Sequence, residues 1–366
     1  MKKSFTNYFL YLIIACSSVV ITSCKKDTQP PEPVITNFKT IGLYQKSQVD
    51  NGITYKRVFT GVTVGTSTQP YPAIFDTGST GLTVDARNLI PADKIKDYGI
   101  DVVGDSSIYN GITVTSFKGV ISFGGGSTGT THQYGHLAYA SVTIGDGNGS
   151  VNVKRMPFFL YYKVTDGSGN NISFSPQEIN VFGVGPGYSY ANSAIGSPLS
   201  YFKLPTGVTN GFKLALFNTP FTSTATYVPG LVTIGLTPTD LNSSGFKMHN
   251  LDNYPTAGGH SPNIRATLTF NNKTINAFLL FDTGDPAITY LADPTASGTT
   301  TLPAGTPVSL TTTGGFSYSY TTGASNNVTQ VVNSSGDPRS IFSLDFFVKN
   351  QYLLDYQNNR IGLKNN

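Results

Sequence analysis

A ten-residue segment, FDTGSTGLTV at 75–84, returns at 281–290 as FDTGDPAITY. Phe75 matches Phe281, Asp76-Thr77-Gly78 matches Asp282-Thr283-Gly284, Leu82 matches Ile288 and Thr83 matches Thr289. Apolar residues flank both copies. A single Asp-Thr-Gly in a chain rich in Gly and Thr is an ordinary strand-end turn. Two in matching context imply an internal duplication, hence two related halves that each offer one aspartate from a turn.

Two such carboxyls brought face to face have a defined chemistry. They cannot both ionise cheaply, so they share a proton, one acting as base while the other stays acid. The pair titrates as a unit. A water held between them can be deprotonated by one member while the other protonates a substrate carbonyl, which is hydrolysis by general acid–base catalysis without a covalent intermediate. Asp76 and Asp282 are therefore the candidate catalytic residues, with Thr77, Gly78, Thr283 and Gly284 supporting them. Gly78 and Gly284 let backbone approach each carboxylate, and the Thr77 and Thr283 hydroxyls can cross-link the two turns.

The rest of the chain reads as all-β. Short Val/Ile/Thr/Tyr/Phe runs are punctuated by turn signals, as in DNGITYKRVFTGVTVG and RATLTFNNKTINAFLLF, and no long segment keeps an apolar period near 3.6. Helices should be few and short. With 366 residues, 39 Gly, 21 Pro and only 12% charged residues, the chain can bury a large core and build two domains.

The first 23 residues carry Lys2 and Lys3, then an apolar run rich in serine, and end Ile21-Thr22-Ser23 before Cys24. This reads as a secretory signal, and the ending resembles a bacterial lipobox, whose cysteine receives lipid and becomes the mature N-terminus. Cys24 is thus the expected lipidation site, 1–23 the signal peptide and the proline-rich 24–37 a stiff tether. Cys16 leaves with the signal, so no disulfide is expected. Removal of Lys2 and Lys3 leaves 22 basic against 20 acidic residues, a net charge of +2 that does not point to nucleic acid. The expected location is the cell envelope, lipid-anchored at the outer membrane on its periplasmic or outer face.

Beyond the two triplets, longer stretches resemble the pepsin-like aspartic peptidases. GVTVGTSTQPYPAIFDTGSTGLTV (61–84) is similar to the opening of the family's first lobe. SIFSLDFFVKNQYLLDYQNNRIGL (340–363) is similar to its C-terminal stretch, through Phe346, Asp355, Asn359 and Gly362. INVFGVGPG (179–187) resembles the segment that threads beneath the first catalytic loop. The resemblance runs from about residue 40 to the end. It implies a bilobal, double-lobed β-barrel fold with a central substrate cleft, an N-terminal lobe at 38–190 and a C-terminal lobe at 191–366. It further implies a monomeric endopeptidase that takes an extended polypeptide into the cleft as an added strand, without cofactor or metal.

Departures from the family pattern fall near the site. Thr83 stands where the family has Trp, and the chain contains no Trp. In the family that Trp supports a tyrosine on a flap hairpin; here ISFGGGSTG (121–129) resembles the flap, with Phe123 at the tyrosine's place and Tyr134 as the competing residue. Asp285 replaces a Ser or Thr whose hydroxyl would donate to the neighbouring carboxylate, and when ionised it would raise the pKa of Asp282. Asp76, with Ser79 to donate, would then be the base. Ser343 stands where the family has Gly beneath the second turn. Two readings follow: a lipid-anchored aspartic endopeptidase, or a pepsin-fold binding or surface module that has lost catalysis. A carbohydrate-binding β-protein is argued against by the retained Asp-Thr-Gly pair.

Other motifs carry less. GGSTG (125–129) matches Gly-x-Ser-x-Gly but lacks the helix of a nucleophile elbow, and GVGPG lacks a dinucleotide fingerprint. His132 and His136, outside any helical pattern, are not expected to bind a metal.

Overall fold

The computed structural model describes residues 39–124, 129–254 and 256–366. The segments expected to be signal peptide and tether, with Cys24, and most of the glycine-rich tip at 125–129 lie outside the described residues. The described part is built almost wholly of strands, arranged as a 14-stranded sheet, an 8-stranded sheet and a two-stranded ribbon. Its one α-helix is Pro238–Asn242.

The turn signals act as their chemistry requires. Asn51-Gly52 and Asn110-Gly111 take positive φ at both positions, as does Asn271-Asn272, and each closes a hairpin. The first hairpin joins Lys39–Asp50 to Ile53–Val64. Lys39–Asp50 also pairs with Thr226–Leu236, so one sheet carries strands from both halves of the sequence. In Ile53–Val64, Lys56, Val58, Thr60, Val62 and Val64 are buried in strict alternation, the period-two pattern of a strand with one face inward. Arg57 lies on the opposite face.

The duplication read from sequence is a duplication of topology. Tyr71–Asp76 runs parallel to Val181–Val184, with Phe75 opposite Phe182, and Thr80–Asp85 pairs antiparallel with that same central strand. In the other half Lys273–Phe281 runs parallel to Arg339–Phe342, with Phe281 opposite Phe342, and Ile288–Asp293 meets that strand antiparallel at Tyr290 and Ile341. Each Asp-Thr-Gly turn therefore bridges two strands that straddle a third. Ring packing anchors both: Phe75 stacks on Phe182 at 5.9 Å, and Phe281 lies 5.4 Å from Phe342 and 4.1 Å from Phe346. INVFGVGPG does thread beneath the first turn, where Gly185 donates its N–H to Ser79 O. The boundary expected at residue 190 falls between Val181–Val184 and Thr209–Leu214.

Candidate active site

The two turns meet at their threonines. Thr77 Oγ1 donates to Phe281 O at 2.7 Å, and Thr283 Oγ1 donates to Phe75 O at 2.7 Å. In return, Thr77 N–H donates to Thr283 Oγ1 at 3.1 Å and Thr283 N–H to Thr77 Oγ1 at 3.0 Å. Both residues are buried, so each hydroxyl satisfies backbone groups of the opposite half that would otherwise be desolvated without a partner.

This exchange places the carboxyls face to face. A Cβ on Gly78 would lie 2.4 Å from the Asp282 carboxyl, and one on Gly284 would lie 2.8 Å from that of Asp76. Glycine is required at both positions because the opposite carboxyl occupies the space of a side chain. The two carboxyls are held differently. Asp76 accepts from Gly78 N–H at 2.7 Å, Ser79 N–H at 3.1 Å and Ser79 Oγ at 2.5 Å. Asp282 accepts from Gly284 N–H at 2.7 Å. Three donors converge on the Asp76 carboxyl. Enclosure by protein raises the pKa of Asp282 well above the usual carboxylate range, and the charges of Asp76 and Asp285 add to this.

Asp285 sits beside the pair, but its carboxyl turns into its own loop. Asp285 Oδ1 accepts from Ala287 N–H and Ile288 N–H, both at 3.3 Å, and burial pushes its pKa up to about 7. The expectation that Asp285 opposes ionisation of Asp282 agrees with the direction of that shift, although enclosure and Asp76 contribute more. Ser343 is fully buried beneath the turn, donating its N–H to Thr289 Oγ1 at 3.4 Å. Its counterpart Gly183 has no such room, since a Cβ there would fall 2.7 Å from Ser79 Oγ. Thr83 is buried within the sheet and its Oγ1 accepts from Val181 N–H at 3.3 Å.

Phe123 opposes Thr131 near the hairpin tip and packs against a cluster that includes Ile121, Leu137, Phe159 and Tyr161. Tyr134 lies farther down the hairpin, opposite Val120 and Lys163, with the Lys163 ammonium 5.5 Å from its ring. His132 and His136 are engaged separately: His132 Nδ1 with Ser122 Oγ at 2.7 Å, and His136 Nε2 with Ile100 N–H at 3.1 Å.

Sequence reasoning missed two cations that clamp the first half onto the second turn. Lys56 N–H donates to Pro286 O at 2.8 Å, and its ammonium forms a buried ion pair with Asp345. Arg57 donates through NH1 to Gly284 O at 2.7 Å. The Lys-Arg pair in a strand leading to the first turn was visible, but its partners lie in the other half of the chain.

No family model matches the chain, and no curated protein is significantly similar to it in sequence. Among solved structures it is similar to the aspartic proteinase from Irpex lacteus, with a TM-score of 0.52 over 90% of this chain and 97% of that one. The sequences are 16% identical, so the likeness is one of fold. The chain has the bilobal, pepsin-like all-β fold.

Proposed function

We propose that the protein is an aspartic endopeptidase. The face-to-face arrangement of Asp76 and Asp282, with three donors on one carboxyl and one on the other, carries this reading. Asp76 removes a proton from water as the water oxygen attacks the scissile carbonyl carbon, while Asp282 gives its proton to the carbonyl oxygen. The tetrahedral diol then collapses: the C–N bond breaks, the proton held by Asp76 passes to the leaving nitrogen, and a diol hydroxyl returns a proton to Asp282. The threonine exchange supports this cycle by fixing both carboxyls before substrate arrives. The substrate is an extended polypeptide laid between the lobes, with Phe123 on the hairpin above it, and the enzyme is monomeric.

Cleavage of an unfolded protein by the parent and not by Asp76→Asn, with inhibition by a statine-type transition-state mimic, tests the reading. The alternative is a binding module that has lost catalysis, favoured by the single donor left on Asp282. It requires equal inactivity of parent and variant. Lipidation at Cys24 anchors the enzyme in the bacterial envelope; labelling with a radioactive fatty acid that survives Cys24→Ala would refute the anchor.

A further inference from the structure

Arg57 differs from the arginines that hold aspartates. Arg87, Arg265, Arg339 and Arg360 form ion pairs with Asp85, Asp252, Asp337 and Asp355 respectively. Among the described residues Arg57 forms no ion pair; it spends one N–H on the carbonyl of Gly284. A guanidinium has five donors in a rigid fork, so most of this one remains unused. Its location is the second point. Gly284 is the residue whose N–H holds Asp282, and the field at Arg57 comes from Asp285, Asp282 and Asp76 in that order. The cation is half-buried beside the catalytic pair and pinned there from the opposite lobe.

None of those carboxyls is in ion-pair contact with it. The Asp76 carboxyl bonds Gly78 and Ser79, that of Asp282 bonds Gly284 N–H, and that of Asp285 turns to Ala287 and Ile288 N–H, with its pKa pushed up to about 7 by burial. Arg339, the other guanidinium that senses Asp282, is already bound by Asp337 through Nε and NH2. Lys56, adjacent to Arg57 in sequence, points to the other face of the strand and is bound to Asp345.

We propose that Arg57 is a specificity-determining residue that receives an acidic side chain, Glu or Asp, of a peptide lying across the two aspartates. The inference rests on the peptidase reading only for the placement of that peptide. A carboxylate accepts two parallel N–H bonds from a guanidinium, a geometry that an amide isostere reproduces poorly. A purely structural Arg57, tying the lobes through Gly284, would favour no side chain.

The test uses the full chain carrying Asp76→Asn, so that binding is read without turnover. Fluorescent peptides of one sequence, with Glu or Gln placed in turn at each position around the centre, are titrated and their Kd values compared. At one position Glu should bind roughly 10- to 100-fold more tightly than Gln, the range for a charge-assisted pair. Arg57→Gln should erase that ratio, Arg57→Lys should retain part of it, and Arg57→Glu should reverse it in favour of Lys peptides. A parent ratio near one at every position, absence of peptide binding, or a ratio that survives Arg57→Gln overturns the proposal. Hydrolysis of the same peptides by the chain with Asp76 intact is scored separately. Acid-selective binding without hydrolysis would sink the peptidase reading and leave this one standing.

Discussion

The turn at Asp76 and the turn at Asp282 share a scaffold and treat their carboxyls differently. Backbone path, glycine and threonine exchange are alike, down to paired 2.7 Å bonds from each threonine hydroxyl to the opposite phenylalanine carbonyl. One step outward the likeness ends. In the first turn Ser79 donates to Asp76 and fills the space over Gly183. In the second, Asp285 turns its carboxyl to Ala287 and Ile288, and a buried Ser343 underlies the turn. The two departures are coupled: with no hydroxyl over the second turn as Ser79 lies over the first, a Cβ at 343 is accommodated. Position is thus symmetric while the hydrogen bonding of the two carboxyls is not, three donors against one, and a difference in environment is what a pair working as acid and base needs.

The comparison is broken most completely by removing either carboxyl. Asp76→Asn and Asp282→Asn should each lower kcat by at least about 10²–10⁴, the span of general acid–base help, with near-UV circular dichroism unchanged. Asp76→Asn should lose more, because an amide at 282 can still donate to the carbonyl whereas an amide at 76 cannot take a proton. A parent-like rate in either variant would refute the dyad.

Making the first turn resemble the second comes next. Gly183→Ser sets a Cβ 2.7 Å from Ser79 Oγ and 2.9 Å from Gly81 O. Overpacking of this kind costs roughly 1–3 kcal/mol, or about 2–4 °C of Tm per kcal/mol in a large domain. The reverse exchange, Ser343→Gly, should cost only about 0.5–1 kcal/mol. Equal losses in thermal melts of the two variants would mean that the turns are packed alike.

The smallest effects concern Asp285. Its folded pKa of about 7 lies above its unfolded value of 3.8, so its contribution to stability is fully present below pH 3.8 and lost as pH rises through 7. Asp285→Asn should therefore raise Tm over the parent by a few degrees at pH 8 and leave it unchanged at pH 3.5. In Asp285→Thr the upper limb of the kcat/KM profile should move to lower pH, since a charge that opposes ionisation of Asp282 is gone. An unmoved limb would assign the raised pKa of Asp282 to enclosure and Asp76 alone.

What could be read from sequence was whatever the duplication repeats. Both aspartates, both glycines and the cross-linking threonines follow from two matched triplets in strand context, and the hairpins follow from Asn-Gly and Asn-Asn. The direction of the Asp285 carboxyl was not legible, because two N–H groups of its own loop compete for it. Nor were the clamps at Lys56 and Arg57, whose partners Asp345 and Gly284 lie 289 and 227 residues away. Such contacts depend on how the halves approach, which no local pattern encodes. The alternation of Ile53–Val64 did contain a hint, since Lys56 falls on the buried face and so needs a counter-charge.

The threonine exchange joins residues 206 positions apart. Loop closure over that distance must come before any reward from the contact, which makes the site a late event in folding. A chain emerging from the ribosome therefore carries a lone aspartate until its second half has been made. The facing carboxyls come into being only with the finished molecule, so a chain severed between its halves has no dyad at all rather than half of one.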